Sequence, residues 1–159
     1  MVAVRVNDEI DRLFGLLDGV SDPEIPVLSL LDLGVVRDVS IANGKVSVTI
    51  TPTYAGCPAM TAMRADIEST LAAAGYAQVE VRQTLSPAWS TDWMTQRGRE
   101  KLRAYGIAPP LGKTPGDKIE CPQCGSADVK KISEFGSTAC KALYQCRECL
   151  EPFDYFKCL

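Results

Sequence analysis

The chain has 159 residues, is 46% hydrophobic, carries a formal net charge of -3, and contains seven cysteines and no histidine. That is enough apolar chain for one ordinary core plus a small module, and too acidic to present the electrostatic footprint of a nucleic-acid binder. Without histidine there is no Ser-His-Asp or Cys-His nucleophile, no histidine base and no His-built catalytic zinc site, so any metal must sit on thiolate, carboxylate or backbone oxygen. Charges run through residues 1–19, which argues against a signal peptide. No apolar run reaches the roughly 18 to 20 residues that span a membrane. The expectation is a cytoplasmic protein whose cysteines bind metal or react rather than form disulfides.

Ile10, Leu13, Phe14 and Leu17 repeat at i, i+3, i+4 and i+7, the stripe of an amphipathic helix that stops near Gly19. The two prolines of SDPEIP forbid regular continuation. In VVRDVSIANGKVSVTIT, Val46, Val48 and Ile50 alternate with polar residues, which predicts a strand with one buried face. Asn43-Gly44 is a hairpin turn signal, because both residues tolerate positive φ. Pro58 suits a first helical turn, and Met60, Met63, Ile67, Leu71 and Ala74 mark a second helix ended by Gly75. AQVEVRQTL reads as a third strand, and residues 92–105 as a further helix that closes the domain.

This order predicts an α+β fold: a small mixed sheet packed with two to three helices, followed by a C-terminal zinc-ribbon-like module. The expected boundaries are an α+β domain over 1–107, a Pro/Gly linker over 108–118 and a four-cysteine module over 119–159.

Cys121/Cys124 and Cys146/Cys149 form two Cys-x-x-Cys knuckles 21 residues apart, close to the spacing that holds tetrahedral Zn²⁺. Iron suits the same cage, and a pair of disulfides is the alternative that the compartment disfavours. From Ile119 onward there are five basic against six acidic residues, so a nucleic-acid-binding ribbon is not favoured. The ribbon reads as a structural staple offering an apolar surface to a protein partner. Cys140 and Cys158 lie outside the clamp, as buried apolar thiols or accessory ligands, with burial the favoured reading.

Cys57 in TPTYAGCPAM stands where a strand ends and a helix begins. A helix dipole and free N–H groups there would lower its pKa and make thiolate available as a nucleophile or soft ligand. The competing reading is a small packed hydrophobe. Asp22 and Glu24 in DPEIP read either as metal- or thiolate-assisting carboxylates or, more simply, as a turn in which Asp22 caps free amides. Trp89 and Trp93 in SPAWSTDW read as core or partner surface.

Taken in order, DPEIP, LGVV with its NGKVSVTI hairpin, TPTYAGCPAM and SPAWSTDWM resemble the iron–sulfur cluster assembly factor family, of the SufT type, over about residues 6 to 105. With GSTACKALYQCRECLEPFDYFKC added, the chain resembles one branch of it, the PaaD-type component of phenylacetyl-CoA epoxidase systems. The resemblance implies an accessory, non-catalytic role in aerobic phenylacetate degradation, assisting iron–sulfur or iron-centre maturation of oxygenase and reductase subunits. It implies Cys57 as the functional thiol, with Asp22 and Glu24 as a supporting acidic motif. Implied cofactors are a structural zinc and a transient iron–sulfur cluster, and a homodimer through Cys57 is an option. The alternatives are a thiol oxidoreductase using Cys57 and, further off, a nucleic-acid-binding zinc ribbon.

Overall fold

A computed structural model of the protein describes residues 2–112 and 115–157. The chain forms two compact units, Met1–Trp89 and Ser90–Leu159.

The first unit begins with helix α1, Val2–Leu17. Leu13 and Leu17 are fully buried, whereas Phe14, at the margin of the same stripe, keeps 36% of its surface exposed. The loop after α1 is closed by Asp22 N–H to Leu28 C=O at 2.8 Å and Leu30 N–H to Val20 C=O at 2.9 Å, which drives Ile25 and Leu28 into the core. A one-turn helix α2, Leu30–Leu33, follows. It is fixed by a reciprocal capping box: Ser29 Oγ accepts from Asp32 N–H at 3.0 Å, and Asp32 Oδ2 accepts from Ser29 N–H at 3.2 Å. The sequence reading made nothing of LLDLG, although its Ser-x-x-Asp start carried that capping signal.

Strands β1 (Val36–Ala42) and β2 (Lys45–Ile50) form the expected antiparallel hairpin, paired Ala42 to Lys45 across Asn43 (φ 51°) and Gly44 (φ 76°). Helix α3 (Met60–Ala73) carries the chain over to β3 (Gln78–Gln83), which lies parallel to β2 in the order β1-β2-β3. Parallel neighbours need such a crossover, so the mixed sheet follows from placing a helix between two strands. Helices α1 and α3 pack against each other and against the sheet. Val46, Val48 and Ile50 of β2 and Met63, Ile67 and Leu71 of α3 are all buried. The phenol of Tyr76 donates to the carboxylate of Glu9, tying the end of α3 to α1. Trp89 is buried and its indole N–H donates to Leu33 C=O at 3.0 Å.

The second unit starts at Ser90, upstream of the expected 107/108 division. The helix anticipated over 92–105 is a single 3₁₀ turn, Thr91–Trp93, followed by α4, Gln96–Ala104. Thr95 Oγ1 caps α4 by accepting from Gly98 N–H at 2.9 Å. Instead of closing the first domain, α4 belongs with the ribbon, because the chain after it forms β4 (Ile107–Ala108), which pairs in parallel with β7 (Pro152–Phe156). Strands β5 (Val129–Ser133) and β6 (Lys141–Cys146) complete a four-stranded sheet in the order β4-β7-β6-β5. The start of the proline-rich stretch is therefore built into the fold: Ala108 sits in the ribbon core with Cys121, Cys146, Phe153 and Tyr155, and Leu111 packs on that cluster.

Ile67 is fully buried between α3 and the sheet, whereas Ile132 on β5 is 51% exposed. Ile67→Ala should cost about 2–5 kcal/mol of unfolding free energy. Ile132→Ala should stay within about 0.5 kcal/mol. Denaturant titration of the two variants side by side checks the assignment of the core.

Candidate functional site

Among the described residues, two sulfur sites stand out, one in each unit. In the ribbon, Cys121 N–H bonds to Ser126 C=O at 2.8 Å and Gly125 N–H to Cys121 C=O at 2.8 Å, with Gly125 at φ 79°. The second knuckle repeats this with Cys146 N–H to Glu151 C=O at 3.0 Å and Leu150 at φ 65°. Leucine rarely adopts that left-handed backbone conformation, so the second knuckle is built against local preference. Cys121 Sγ lies 3.6 Å from Cys149 Sγ, Cys124 Sγ lies 3.5 Å from Cys146 Sγ, and all four sulfurs lie within 4.8 Å of one another. Zn–S bonds of about 2.3 Å in a tetrahedron put sulfurs about 3.8 Å apart, so the donor set and its spacing fit a zinc-sized ion.

The electrostatics of the cage oppose full ionisation without a cation. The Cys149 backbone N–H, aided by that of Glu148, outweighs burial and draws the Cys146 thiol down to about 7. At Cys149 the Glu151 N–H pulls the other way, but burial and the neighbouring sulfurs of Cys121, Cys124 and Cys146 push the thiol up to about 12. A metal must therefore displace protons from this cage, and acid must return them. Cys140 is buried outside the clamp, with its sulfur 2.9 Å from Thr138 Oγ1. Cys158 lies outside the described residues.

The second site lies between β2 and α3. Cys57 N–H bonds to Tyr54 C=O at 3.3 Å, and Cys57 C=O accepts from Met60 N–H at 3.3 Å. Gly56, at φ 76°, supplies the reversal between them. Cys57 is 8% exposed. Its thiol is raised above the ordinary range, chiefly by burial; the Ala59 N–H and the Tyr54 side chain lower it, and the carboxylates of Glu24 and Asp22 raise it. The expected lowering at a helix start is thus corrected: Cys57 stands three residues before α3, and burial with two nearby acids outweighs the local amides.

Tertiary structure brings DPEIP into the electrostatic field of Cys57 across more than 30 residues of sequence. Asp22 is 5% exposed, and its Oδ1 accepts from Glu24 N–H at 2.9 Å and Ile25 N–H at 2.7 Å. The turn role expected of Asp22 is therefore present, and the charge of Glu24 in the same turn raises the Cys57 thiol. Sequence reasoning missed Thr51 and Tyr54 of the same loop. Thr51 is 1% exposed, and its hydroxyl is the one buried side-chain polar atom without a hydrogen-bond partner among the described residues.

The chain thus joins an α+β domain carrying a buried thiol to a four-cysteine ribbon module. Residues 10–82 match the family described as iron–sulfur cluster assembly protein, and residues 109–157 match the PaaD zinc beta ribbon domain. A protein of Escherichia coli (strain K12), provisionally named as the D component of 1,2-phenylacetyl-CoA epoxidase, is 47% identical over 155 residues, covering 95% of this chain and 94% of its own. The chain belongs to that family, the PaaD-type components of the epoxidase. An Fe-S protein maturation auxiliary factor of Porphyromonas gingivalis (strain ATCC BAA-308 / W83) is 35% identical over 101 residues, 62% of this chain and 92% of its own. Among solved structures, a domain of unknown function, DUF59, from Bacillus anthracis aligns with a TM-score of 0.59 at 27% identity, over 63% of this chain and 96% of that one. A conserved hypothetical protein from Thermotoga maritima aligns with a TM-score of 0.50 at 31% identity, over 58% and 91%.

Two outcomes are expected at the cage. Cys146→Ser should drop metal content from one zinc per chain toward none, and zinc affinity of the unsubstituted chain should fall as pH drops through about 7, both read by metal analysis after dialysis. Leu150→Gly, at an exposed position with positive φ, should stabilise the loaded protein by about 1 kcal/mol with unchanged zinc content.

Proposed function

We propose that the protein is an accessory, non-catalytic component of a phenylacetyl-CoA epoxidase system, assisting the iron–sulfur or iron-centre maturation of the oxygenase and reductase subunits. The single observation that carries this reading is the setting of Cys57: a buried thiol with the carboxylates of Glu24 and Asp22 in its field. Negative charge beside a thiol suppresses free thiolate, but it favours a soft cation, whose arrival displaces the proton and satisfies thiolate and carboxylate together. That arrangement suits transient custody of iron or a cluster as cargo. The name of the E. coli relative and the maturation factor of P. gingivalis support the same direction.

In this reading Cys121, Cys124, Cys146 and Cys149 hold one structural zinc. The ribbon core is small, and the metal supplies the cross-link that a larger core would replace. The ribbon then serves as the docking module for a client protein. A thiol oxidoreductase is the second reading. It is disfavoured because exchange needs accessible thiolate, and burial plus nearby carboxylate keeps the Cys57 proton in place.

The test compares the full-length protein with Cys57→Ser in activating iron-depleted epoxidase subunits under anaerobic conditions. The expected result is one zinc per chain in both, with activation lost in the variant. Full activation by Cys57→Ser would sink the custody role, and turnover of a disulfide substrate by the isolated chain would establish the oxidoreductase instead.

A further inference from the structure

An open sheet edge is a row of unpaired backbone groups ready to take another strand. The order β1-β2-β3 leaves β1 and β3 at the margins of the first sheet, and β4-β7-β6-β5 leaves β4 and β5 at those of the second. Three of these four margins are blunted. The register of β1 slips between Val36 and Asp38, that of β5 slips between Lys131 and Ser133, and β4 is two residues long. Strand β3 instead runs in unbroken register, from Gln78 opposite Lys45 to Gln83 opposite Ile50.

Hydrogen bonding assigns the two sides of β3. Thr84 N–H bonds to Ile50 C=O at 3.0 Å, with Ile50 beside Gln83. Alternate residues of a strand in a parallel ladder bond to the same neighbour. Gln78, Glu80 and Arg82 therefore aim their backbone groups at β2, and Val79, Val81 and Gln83 aim theirs at the open side. Among the described residues, no backbone–backbone hydrogen bond reaches that side. The side chains of Glu80 and Arg82 lie on one face of the sheet. The Glu80 carboxylate accepts from Arg82 at 2.9 Å and lies 2.9 Å from Lys45 Nζ, all three at the surface.

We propose that the open side of β3 pairs with β3 of a second copy of this chain, antiparallel about a two-fold axis at Val81. Antiparallel strands alternate hydrogen-bonded and non-hydrogen-bonded pairs. With Val81 opposite its twin, the bonded pairs are Val81 with Val81 and Val79 with Gln83, the residues whose amides and carbonyls face the open side. The non-bonded pairs, where side chains come closest, set Glu80 of each copy opposite Arg82 of the other. The order Glu80-Val81-Arg82 is thus self-complementary in charge. An axis at Val79 or Gln83 would set Glu80 opposite Gln78 or Ser86 and lose both pairs. The product is one six-stranded sheet across two chains. Because the copies run in opposite directions, their β2–α3 loops leave it at opposite ends, so this dimer does not bring Cys57 to its twin and does not rest on custody by that thiol.

The test is the mass of the full zinc-loaded chain by sedimentation over a range of concentrations, for the unsubstituted protein, Glu80→Arg and Arg82→Glu. Either variant sets like charges against each other at both close pairs and should weaken dimerisation about thirtyfold. An equimolar mixture of the two variants has opposite charges at both pairs again. It should regain dimer that neither forms alone, which also shows that both variants are folded. In the unsubstituted chain, amide exchange at Val79, Val81 and Gln83 should slow as concentration rises. A chain that stays monomeric, a dimer that neither variant weakens, or a mixture that gains nothing overturns the proposal. So does protection of these amides that appears only when an epoxidase subunit is added, which would make the edge a client site. Activation of partners by Cys57→Ser moves none of these readouts, so the two readings stand or fall separately.

Discussion

Sulfur crowded by other sulfur, or by carboxylate, holds its proton until a cation replaces it, and both cysteine sites of this protein are governed by that balance. In the ribbon the crowding is internal: four thiols within 4.8 Å, one drawn down to about 7 by backbone amides and another pushed up to about 12. At Cys57 it is supplied by Glu24 and Asp22 together with burial. The same electrostatics serve two ends. Four donors at this spacing suit an ion that is kept, whereas in the function proposed above a single thiol beside two acids suits cargo that must leave again.

The first unit is arranged around bringing those acids to that thiol. Asp22 spends its carboxylate on the amides of Glu24 and Ile25, which fixes a turn that plants Ile25 and Leu28 in the core. With Asp22 occupied as a local cap, Glu24 is the larger of the two carboxylate influences on Cys57. The hairpin, the parallel third strand and the crossover helix α3 then place the β2–α3 loop where the turn can act on it. Buried Ile50, Ile67 and Leu71 anchor the strand and helix that this loop joins.

The ribbon follows a different logic. Its core consists of Ala108, Cys121, Cys146, Phe153 and Tyr155, so two of its five central residues belong to the four-sulfur cage. Tyr144 stacks on Phe153 at 6.0 Å and meets Tyr155 edge-on at 5.6 Å, adding aromatic contact around the cage. Cage and core are thus one structure, with Leu150 of the second knuckle in the left-handed region at φ 65°.

Much of this was legible in the sequence. Alternation of Val46, Val48 and Ile50, the Asn43-Gly44 turn and the stripe of α3 specified strands and helix, because period and turn chemistry are local properties. The two Cys-x-x-Cys knuckles likewise specified their cage, since each knuckle is a local turn. What local pattern could not decide was partnership. The helix before Ile107 looked like the last element of the first domain, but pairing of β4 with β7, almost 50 residues away in the chain, assigns α4 to the ribbon. The environment of Cys57 was equally out of reach. Position near a helix start predicted an acidic thiol, and only folding revealed the burial and the distant carboxylates that reverse the sign. The sequence by itself determined where the thiols stand, four in two knuckles and one at a strand–helix junction. Tertiary structure alone decided their protonation, because desolvation and charge act through space and take no account of separation along the chain.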